Sequence, residues 1–212
     1  MLIAITGGIG SGKSVVSQLL RVMDFPVYDC DARAKWVMTH DPELRQQLIE
    51  LFGPQTYQTP LSLNKPYLSS QIFGHPEALA RMNACVHPAV ARDLQRQYAD
   101  YLSNPSTLST PSNLSNSSNP SRPSHPFFFE SAILFESGFD QLSHPDLVWT
   151  VSAPLELRIA RASMRDHATR EQILNRIQSQ LAQEEKEKRS DAVIYNDPEH
   201  SVIEQVNGLL NS

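Results

Sequence analysis

The stretch that decides the fold of this chain lies near its N-terminus and reads Gly7-Gly8-Ile9-Gly10-Ser11-Gly12-Lys13-Ser14. It follows a short apolar run, Leu2 to Thr6, and precedes a segment in which apolar residues recur at helical spacing as far as Met23. A glycine-rich turn that ends in Gly-Lys-Ser between a strand and a helix is typical of a loop that binds nucleotide phosphates. The sequence therefore predicts a P-loop.

The residue types of this loop fit phosphate binding. Glycines let backbone N–H groups converge on phosphate oxygens, and the start of the helix adds a favourable dipole. Lys13 is expected to reach the β- and γ-phosphates, and Ser14 to offer its hydroxyl to Mg²⁺ as the metal-binding residue. We assign nucleotide binding to Gly8, Ile9, Gly10, Ser11, Gly12, Lys13, Ser14 and Val15.

A P-loop alone does not separate kinases from switch GTPases or motor ATPases. A GTPase would carry an Asn-Lys-x-Asp motif after a late strand, but Asn64-Lys65 lacks the aspartate. Motor ATPases are usually larger than 212 residues. The sequence favours an ATP-dependent small-molecule kinase. The alternative from another class is a regulatory protein that binds a nucleotide without catalysing phosphoryl transfer.

Composition narrows the class of protein further. The net charge is −5 and the pI is about 5.8, which argues against a general nucleic-acid or anionic-membrane binder. No apolar run reaches the roughly 18 residues of a membrane helix, and the apolar N-terminus is too short for a signal peptide. We expect Cys30 and Cys85 to be reduced thiols in a cytoplasmic protein.

Strand and helix patterns alternate along the chain, which predicts an α/β fold with a parallel sheet. Strands are expected at 2–6, 25–28 (ending at Asp29-Cys30-Asp31), 127–135, 147–152 and 192–195. Helices are expected at 12–23, 42–52, 76–86, 88–102, 155–165, from Thr169 onwards, and at 202–210. The charge run from Glu184 to Arg189 is expected to form a solvated face.

Residues 103–126 differ in kind, because they divide into eight triplets that each begin with serine. A three-residue period matches a polyproline II turn, whose one face the serines could line. The other interpretation is a tandem expansion in a surface loop that is too polar and proline-rich to pack. We favour the second interpretation and treat the segment as a disordered insert.

Several motifs, in order along nearly the whole chain, resemble those of the dephospho-CoA kinase family. They are Thr6 to Ser14, Val27-Tyr28-Asp29-Cys30-Asp31 with Ala32-Arg33, Asn83 with His87-Pro88, Leu134-Phe135-Glu136, Arg161 with Arg165-Asp166, Arg176-Ile177 with Gln180, Glu185-Lys186, and Asp191 to Asn196. Ala132-Ile133 stands where the family has Pro-Leu. Leu63-Asn64-Lys65 replaces the family's Leu-Asp-Arg, which puts one acceptor-side contact in doubt.

The resemblance implies a P-loop NTPase fold, a three-layer parallel sheet with helical acceptor-binding and lid subdomains. It also implies transfer of phosphate from ATP, with Mg²⁺, to the ribose 3′-hydroxyl of dephospho-CoA, the last step of coenzyme A synthesis. We expect one domain, with a core at 1–31, 127–157 and 190–212, an acceptor-binding region at 32–102, and a lid at 158–189. Another small-metabolite kinase on the same scaffold is the alternative.

Asp31 is the expected proton acceptor, since it follows a strand beside the P-loop strand and the resemblance implies that role. The other interpretation of such an aspartate is a helix cap. Arg161 and Arg165 lie four apart and could both reach ATP phosphates, or they could form surface ion pairs such as Arg165 with Asp166. For the acceptor substrate we assign Asp29, Asp31, Arg33, Arg81 and His87, of which His87 could instead serve only the junction before Pro88.

Overall fold

The computed structural model describes residues 1–104 and 126–212. In chain order the elements are β1 (Leu2–Thr6), α1 (Lys13–Val22), β2 (Val27–Asp29), α2 (Cys30–His40), α3 (Pro42–Phe52), a 3₁₀ turn (Pro54–Thr56), β3 (Tyr57–Thr59), β4 (Ser62–Leu63), α4 (Lys65–Ile72), α5 (Pro76–Ser103), β5 (Phe127–Glu130), α6 (Phe139–Ser143), β6 (Leu147–Ser152), α7 (Leu155–Asp166), α8 (Arg170–Gln178), α9 (Gln183–Lys188), β7 (Ala192–Tyr195) and α10 (Val202–Leu210). The chain divides into two compact units, Met1–Asp29 with Asp100–Ser212, and Cys30–Ala99.

The first unit contains a five-stranded parallel sheet in the order β2-β5-β1-β6-β7. Strand β1 is central, and Ala4 lies opposite Phe129 of β5 and Val148 of β6. In a parallel sheet all strands end at the same edge, so the loop that follows β1 opens at the carboxyl edge, where ligands of such sheets bind. The predicted parallel α/β P-loop fold is confirmed.

The core of this unit follows from the apolar strands. All five residues of β1 are buried, as expected for a strand that is covered on both faces. Helix α1 turns Val16 and Leu20 inward, and the predicted helices at both ends of the chain pack here. The buried cluster comprises Ile3, Ile5, Val16, Leu20, Phe25, Phe128, Trp149, Val151, Ile194, Val206 and Leu210.

The second unit is mainly helical, with a short antiparallel hairpin of β3 and β4. The predicted boundaries of α3 are confirmed. The Asp41 side chain accepts the N–H groups of Glu43 and Leu44 at 2.9 and 3.1 Å, and Pro42 opens the helix. Gly53, at a φ of 87°, follows its last residue. The capping box of Thr169 and Gln172 at the start of α8, in the first unit, is also confirmed.

The sequence predicts a helix that stops near Val86 and restarts at Pro88, and this prediction is wrong. Helix α5 continues from Pro76 to Ser103 through Pro88. Proline removes one donor from the helical ladder. Val86, Ala89 and Leu94 are buried on either side of it, and this packing offsets the lost hydrogen bond.

The predicted strand at 127–135 is also too long, because β5 ends at Glu130. The Ser131 N–H still donates to the Ile5 carbonyl at 3.0 Å, and then the chain turns. Leu134 is fully buried within the turn, and its carbonyl accepts the Phe139 N–H at 2.9 Å. Leu134 therefore reflects burial of a turn and not a longer strand, whereas Ile133 beside it is 39 % exposed.

The charge run from Glu184 to Arg189 is not a solvated face throughout, which corrects the sequence prediction. Lys186 of α9 is fully buried, whereas Glu184 and Lys188 are exposed. Within the described residues the two cysteines form no disulfide, as expected, with Cys30 buried and Cys85 half-buried. No helix in the described ranges is both long and apolar enough to cross a membrane. Apart from its two ends, the predicted serine-rich insert lies outside the described residues.

Candidate functional site

The loop between β1 and α1 presents backbone donors at the carboxyl edge of the sheet. Within residues 1–104 and 126–212, the N–H groups of Gly10, Gly12 and Ser14 donate to no protein acceptor. The side-chain oxygens of Thr6 and Ser11 are buried beside them and also have no partner in the described chain. Such a set of unpaired donors at a helix N-terminus suits an anion with several oxygens.

Two glycines of the loop are required by its geometry. Gly10 and Gly12 have φ values of 76° and 97°, in the left-handed region that side chains disfavour. A Cβ atom at Gly10 would lie 2.2 Å from the Arg158 carbonyl oxygen, and one at Gly12 would lie 1.8 Å from the Asn196 Nδ2. The turn therefore admits no larger residue at either position without displacing its neighbours.

Lys13 and Ser14 occupy the first turn of α1. The Lys13 ammonium donates to the Gly7 carbonyl at 2.9 Å, which folds the side chain back over the loop. Ser14 is exposed, and its hydroxyl is accessible to a ligand. Val15, predicted to contact the nucleotide, is 52 % exposed. The structure thus places the predicted P-loop residues in the turn after β1 and in the first turn of α1.

A carboxylate that the sequence analysis missed lies beside this turn. Glu130 is the last residue of β5, and its Oε2 accepts the Ser17 hydroxyl at 2.6 Å. Ser17 follows Ser14 by three residues and lies on the same side of α1. Asp29, the last residue of β2, is in register with Glu130. The sequence did carry a signal for Glu130, because this acid directly follows the apolar run Phe127 to Phe129, which is the pattern of a buried strand that ends in a carboxylate.

These oxygens fit a magnesium ion that is held mainly by a nucleotide. Mg²⁺ takes oxygen ligands and usually binds through one or two protein groups together with substrate phosphates and waters. The exposed Ser14 hydroxyl and the Glu130 carboxylate are groups of that kind. In the described ranges there is no cluster of three or more His, Cys, Asp or Glu residues that could hold a metal without a substrate.

The outer side of the loop is held by four side chains from distant parts of the chain. The Gly8 N–H donates to the Gln183 Oε1 at 3.1 Å, and the Ile9 N–H donates to the Gln180 Oε1 at 2.8 Å. The other two contacts use loop carbonyls: Arg158 Nε donates to Ile9 at 3.0 Å, and Asn196 Nδ2 donates to Ser11 at 2.9 Å. Gln180 and Asn196 belong to the motifs that carried the resemblance, but sequence reasoning gave none of the four this role.

The two arginines predicted to meet ATP lie in different surroundings. Arg161 donates from Nη1 to the Asn196 carbonyl at 3.0 Å, so it is tied to the residue that contacts the P-loop. Arg165 pairs with Asp166 through Nε at 2.7 Å and is 63 % exposed, which is the surface ion pair anticipated as the alternative. In this conformation the two guanidinium groups do not share a partner.

A cavity of about 760 Å³ adjoins Arg158, Gln180 and Gln183. Its lining also includes the carboxylates of Glu184, Glu187 and Asp197. Carboxylates repel phosphate oxygens, so we place the phosphates at the unpaired N–H groups of the loop and not in this cavity.

The acceptor-side aspartate does not end a strand as the sequence predicts. Strand β2 ends at Asp29, and the helix α2 begins at Cys30, so Asp31 lies exposed in the first turn of that helix. A carboxylate in the first turn of a helix is favoured by the helix dipole. The chain therefore carries two acids within three residues, one on the last position of β2 and one at the start of the second unit.

Arg33, predicted to meet an acceptor phosphate, is already engaged within the second unit. Its Nε and Nη2 donate to the two carboxylate oxygens of Asp93 at 2.8 and 2.9 Å, and Asp93 is only 5 % exposed. The guanidinium also lies 4.0 Å over the Trp36 ring. An acceptor phosphate would have to compete with a bidentate ion pair for this side chain.

We expect Arg33→Lys to lower the free energy of unfolding by about 1 to 3 kcal/mol, because an ammonium group cannot replace the two parallel hydrogen bonds to buried Asp93. Urea denaturation measures the change. Arg92→Lys is the matched control, since exposed Arg92 only approaches Asp41 and Glu43 at 3.8 Å. Equal losses in the two variants would show that the buried pair has no special role in stability.

Arg81 has a different setting in the same unit. It is exposed and lines a cavity of about 560 Å³ together with Gln71, His75 and the first residues of α5. Among the described residues no carboxylate pairs with Arg81. Of the two arginines predicted for the acceptor, Arg81 is therefore the one whose guanidinium is accessible.

His87 lies half-buried in the middle of α5, immediately before Pro88. Burial lowers its pKa below the ordinary value of 6.5. The unfolded chain therefore binds a proton at this histidine at higher pH than the folded chain does, and stability falls as the pH drops below that ordinary value.

We expect the wild-type chain to lose more of its free energy of unfolding than His87→Asn does when the pH is lowered from about 7.5 to about 5.5. The cause is the buried imidazole, which must be protonated in a poorly solvated site. Urea denaturation at a series of pH values measures both losses. Identical losses would mean that protonation of His87 does not contribute to the pH dependence of stability.

Comparison with known proteins agrees with this geometry. The family model described as dephospho-CoA kinase matches residues 1–119 and 121–201. The dephospho-CoA kinase of Bacteroides fragilis is 39 % identical over 208 residues, 98 % of this chain and 90 % of the relative. That of Porphyromonas gingivalis is 36 % identical over 205 residues, 96 % and 90 % of the two chains. The solved dephospho-CoA kinase of Campylobacter jejuni, 20 % identical, shares the fold with a TM-score of 0.62 over 98 % of this chain and 96 % of that chain. The chain belongs to the dephospho-CoA kinase family.

Proposed function

We propose that this chain transfers the γ-phosphoryl group of ATP to the ribose 3′-hydroxyl of dephospho-CoA, giving ADP and coenzyme A. The observation that carries the proposal is the glycine loop, whose unpaired N–H groups open at the carboxyl edge of a parallel sheet in a chain of this family. Phosphoryl transfer requires mainly positioning and charge neutralisation from the protein, which such a loop supplies.

In this mechanism the loop holds the phosphates of ATP. The N–H groups of Gly10, Gly12 and Ser14 donate to phosphate oxygens, and the Lys13 ammonium exchanges the Gly7 carbonyl for the β- and γ-phosphates. The contacts from Gln180 and Gln183 keep the first N–H groups of the loop occupied, so that phosphate binds at the later ones.

Ser14 and Glu130 would hold Mg²⁺, Ser14 through its hydroxyl and Glu130 through its carboxylate. When bound, the ion supplies positive charge to the phosphate oxygens during transfer. Ser17 orients Glu130 by donating to its Oε2, an arrangement that fixes the carboxylate against α1.

Asp31 is the proposed acceptor of the proton from the 3′-hydroxyl. It is exposed in the first turn of α2 and no salt bridge occupies it in the described residues. General bases of this type need a position within hydrogen-bond reach of the hydroxyl in the bound state. Asp29, which is in register with Glu130 at the end of β2, is a further proposed contact of the acceptor substrate.

Arg81 is the proposed partner of an acceptor phosphate, with Arg33 and His87 in secondary roles in the same unit. Arg161 and Arg165 belong to the proposed lid at 158–189, and closure would release Arg165 from half-buried Asp166 toward ATP. A closed lid excludes water, which suppresses hydrolysis of ATP. Two cysteines that form no disulfide in the described residues fit a reducing cytoplasm, where we place the protein.

The test is identification of the product. The purified chain is incubated with ATP, Mg²⁺ and dephospho-CoA, and the acceptor is followed by mass spectrometry. We expect one phosphoryl group to be added to dephospho-CoA, with ADP released in equal amount. ATP that binds without any phosphorylation of the acceptor would favour the regulatory nucleotide-binding protein instead.

A further inference from the structure

An ion pair whose lysine is fully buried lies outside the residues so far assigned to the reaction. The Lys186 ammonium contacts the Glu136 Oε1 at 2.6 Å and donates to the Ala132 carbonyl at 2.9 Å. The Lys186 side chain is fully buried, and that of Glu136 is 18 % exposed. Burying two charges is expensive, and an apolar pair of similar volume is often equally stable. A contribution to folding stability therefore does not by itself explain why two charged residues occupy these positions.

The pair fixes two points of residues 180–186, the segment that contacts the phosphate loop: Leu181 through Glu136, and Lys186 itself. The Glu136 Oε1 also accepts the Leu181 N–H at 3.0 Å, and Leu181 directly follows Gln180. Lys186 lies three residues after Gln183 in α9, so its anchoring fixes the first turn of that helix. Gln180 thus precedes a residue that Glu136 holds, and Gln183 lies one helical turn before Lys186.

The contacts from this segment to the loop are local and directional. The Gln183 amide uses both ends: Oε1 accepts the Gly8 N–H at 3.1 Å, and Nε2 donates to the Val151 carbonyl at 3.3 Å. Gln180 accepts the Ile9 N–H at 2.8 Å. The Ile9 side chain also packs against the buried cluster of α7 and α8. A shift of the segment would therefore displace the entrance of the loop.

We propose that Glu136 and Lys186 are positioning residues for ATP: their ion pair holds Gln180 and Gln183 in place, and these two glutamines hold the phosphate loop in the conformation that binds ATP. Neither member of the pair touches the nucleotide. Their effect on catalysis passes through two neutral amides to the Gly8 and Ile9 N–H groups. The proposal rests on the kinase reaction of the preceding subsection, but it is tested separately by nucleotide binding.

The deciding experiment compares three variants, Lys186→Met, Glu136→Gln and the apolar double variant Glu136→Leu/Lys186→Met. Thermal stability is measured without ligand, MgADP affinity by calorimetry, and kcat and KM for ATP with dephospho-CoA saturating. We expect Lys186→Met to weaken MgADP binding and raise KM for ATP about tenfold, as loss of one or two buried hydrogen bonds would.

The double variant separates positioning from stability. Two apolar side chains restore the folded stability of the pair, but they offer no acceptor to the Leu181 N–H, so we expect weak MgADP binding to persist. Glu136→Gln keeps an acceptor oxygen and should retain more of the affinity than Lys186→Met. Recovery of both stability and nucleotide affinity in the double variant would overturn the proposal, because the pair would then be only structural.

A double-mutant cycle with Gln183→Ala tests the route of the effect. If Lys186 acts through the glutamines, Lys186→Met should weaken MgADP binding far less in the Gln183→Ala background than in the wild type. Fully additive effects would contradict that route.

Glu185→Gln is the matched control, because it removes an ion pair with Arg189 on the exposed side of the same helix and should leave binding within about twofold. If ATP and ADP bind normally but no acceptor reacts, the proposed function fails while the binding comparison still decides this inference.

Discussion

Asp31→Asn is expected to lower kcat by about 10² to 10⁴-fold while leaving the affinity for MgATP largely unchanged. The substitution keeps the size of the side chain but removes its ability to accept the proton of the 3′-hydroxyl. The phosphate loop is built from residues of the other compact unit, so its contacts remain in place. Rapid-quench measurement of ADP formation, together with calorimetry of MgADP binding, separates the two effects.

Asp29→Asn is the matched comparison for this prediction, because it removes the other carboxylate of the same short stretch. If Asp31 is the base, its variant should lose more kcat than the Asp29 variant, and the loss should be smaller at high pH, where the hydroxyl needs less assistance. An unchanged kcat in Asp31→Asn would remove this residue from the base role.

Lys13→Met is expected to lower kcat by about 10² to 10³-fold. In the proposed mechanism the ammonium at the start of α1 supplies charge to the β- and γ-phosphates as they separate, and methionine keeps the length of the side chain without that charge. The bond from Lys13 to the Gly7 carbonyl is lost as well, but this carbonyl belongs to a loop held by four other side chains. Steady-state kinetics and thermal unfolding measure both consequences.

Lys188→Met provides the control for charge removal, because Lys188 is exposed near the end of α9 and no ion pair holds it in the described residues. Its kcat should stay within about twofold of the wild type. A Lys13→Met enzyme with nearly full kcat would contradict the assignment of the phosphate site to this loop.

The phosphate loop could be predicted from the sequence because its determinants are local. A buried strand, a glycine-rich turn and a helix follow one another without interruption in residues 2–22, and Gly10 and Gly12 are required by the turn itself. The helix cap at Asp41 and the capping box at Thr169 are local in the same sense. Short-range patterns thus suffice for elements whose shape is set by neighbours in the chain.

The support of that loop could not be predicted, because it comes from residues 149 to 185 positions away in sequence. Lys186 illustrates the problem. Its neighbours are charged and typical of a solvated helix, but its partner Glu136 lies in a distant turn and draws it into the interior. At Pro88 the local signal itself misled the prediction. Proline predicts a break in the helix, but the buried residues on either side keep α5 continuous through it.

The most direct test of the account is a comparison of acceptors. ADP release from ATP and Mg²⁺ is measured with dephospho-CoA and, separately, with nucleosides and nucleotides at the same concentrations. The account predicts that dephospho-CoA stimulates ADP release far more than any other acceptor, and that the gain in mass lies on its ribose. Faster phosphorylation of another acceptor, or no stimulation by dephospho-CoA in a folded chain that binds ATP, would contradict it.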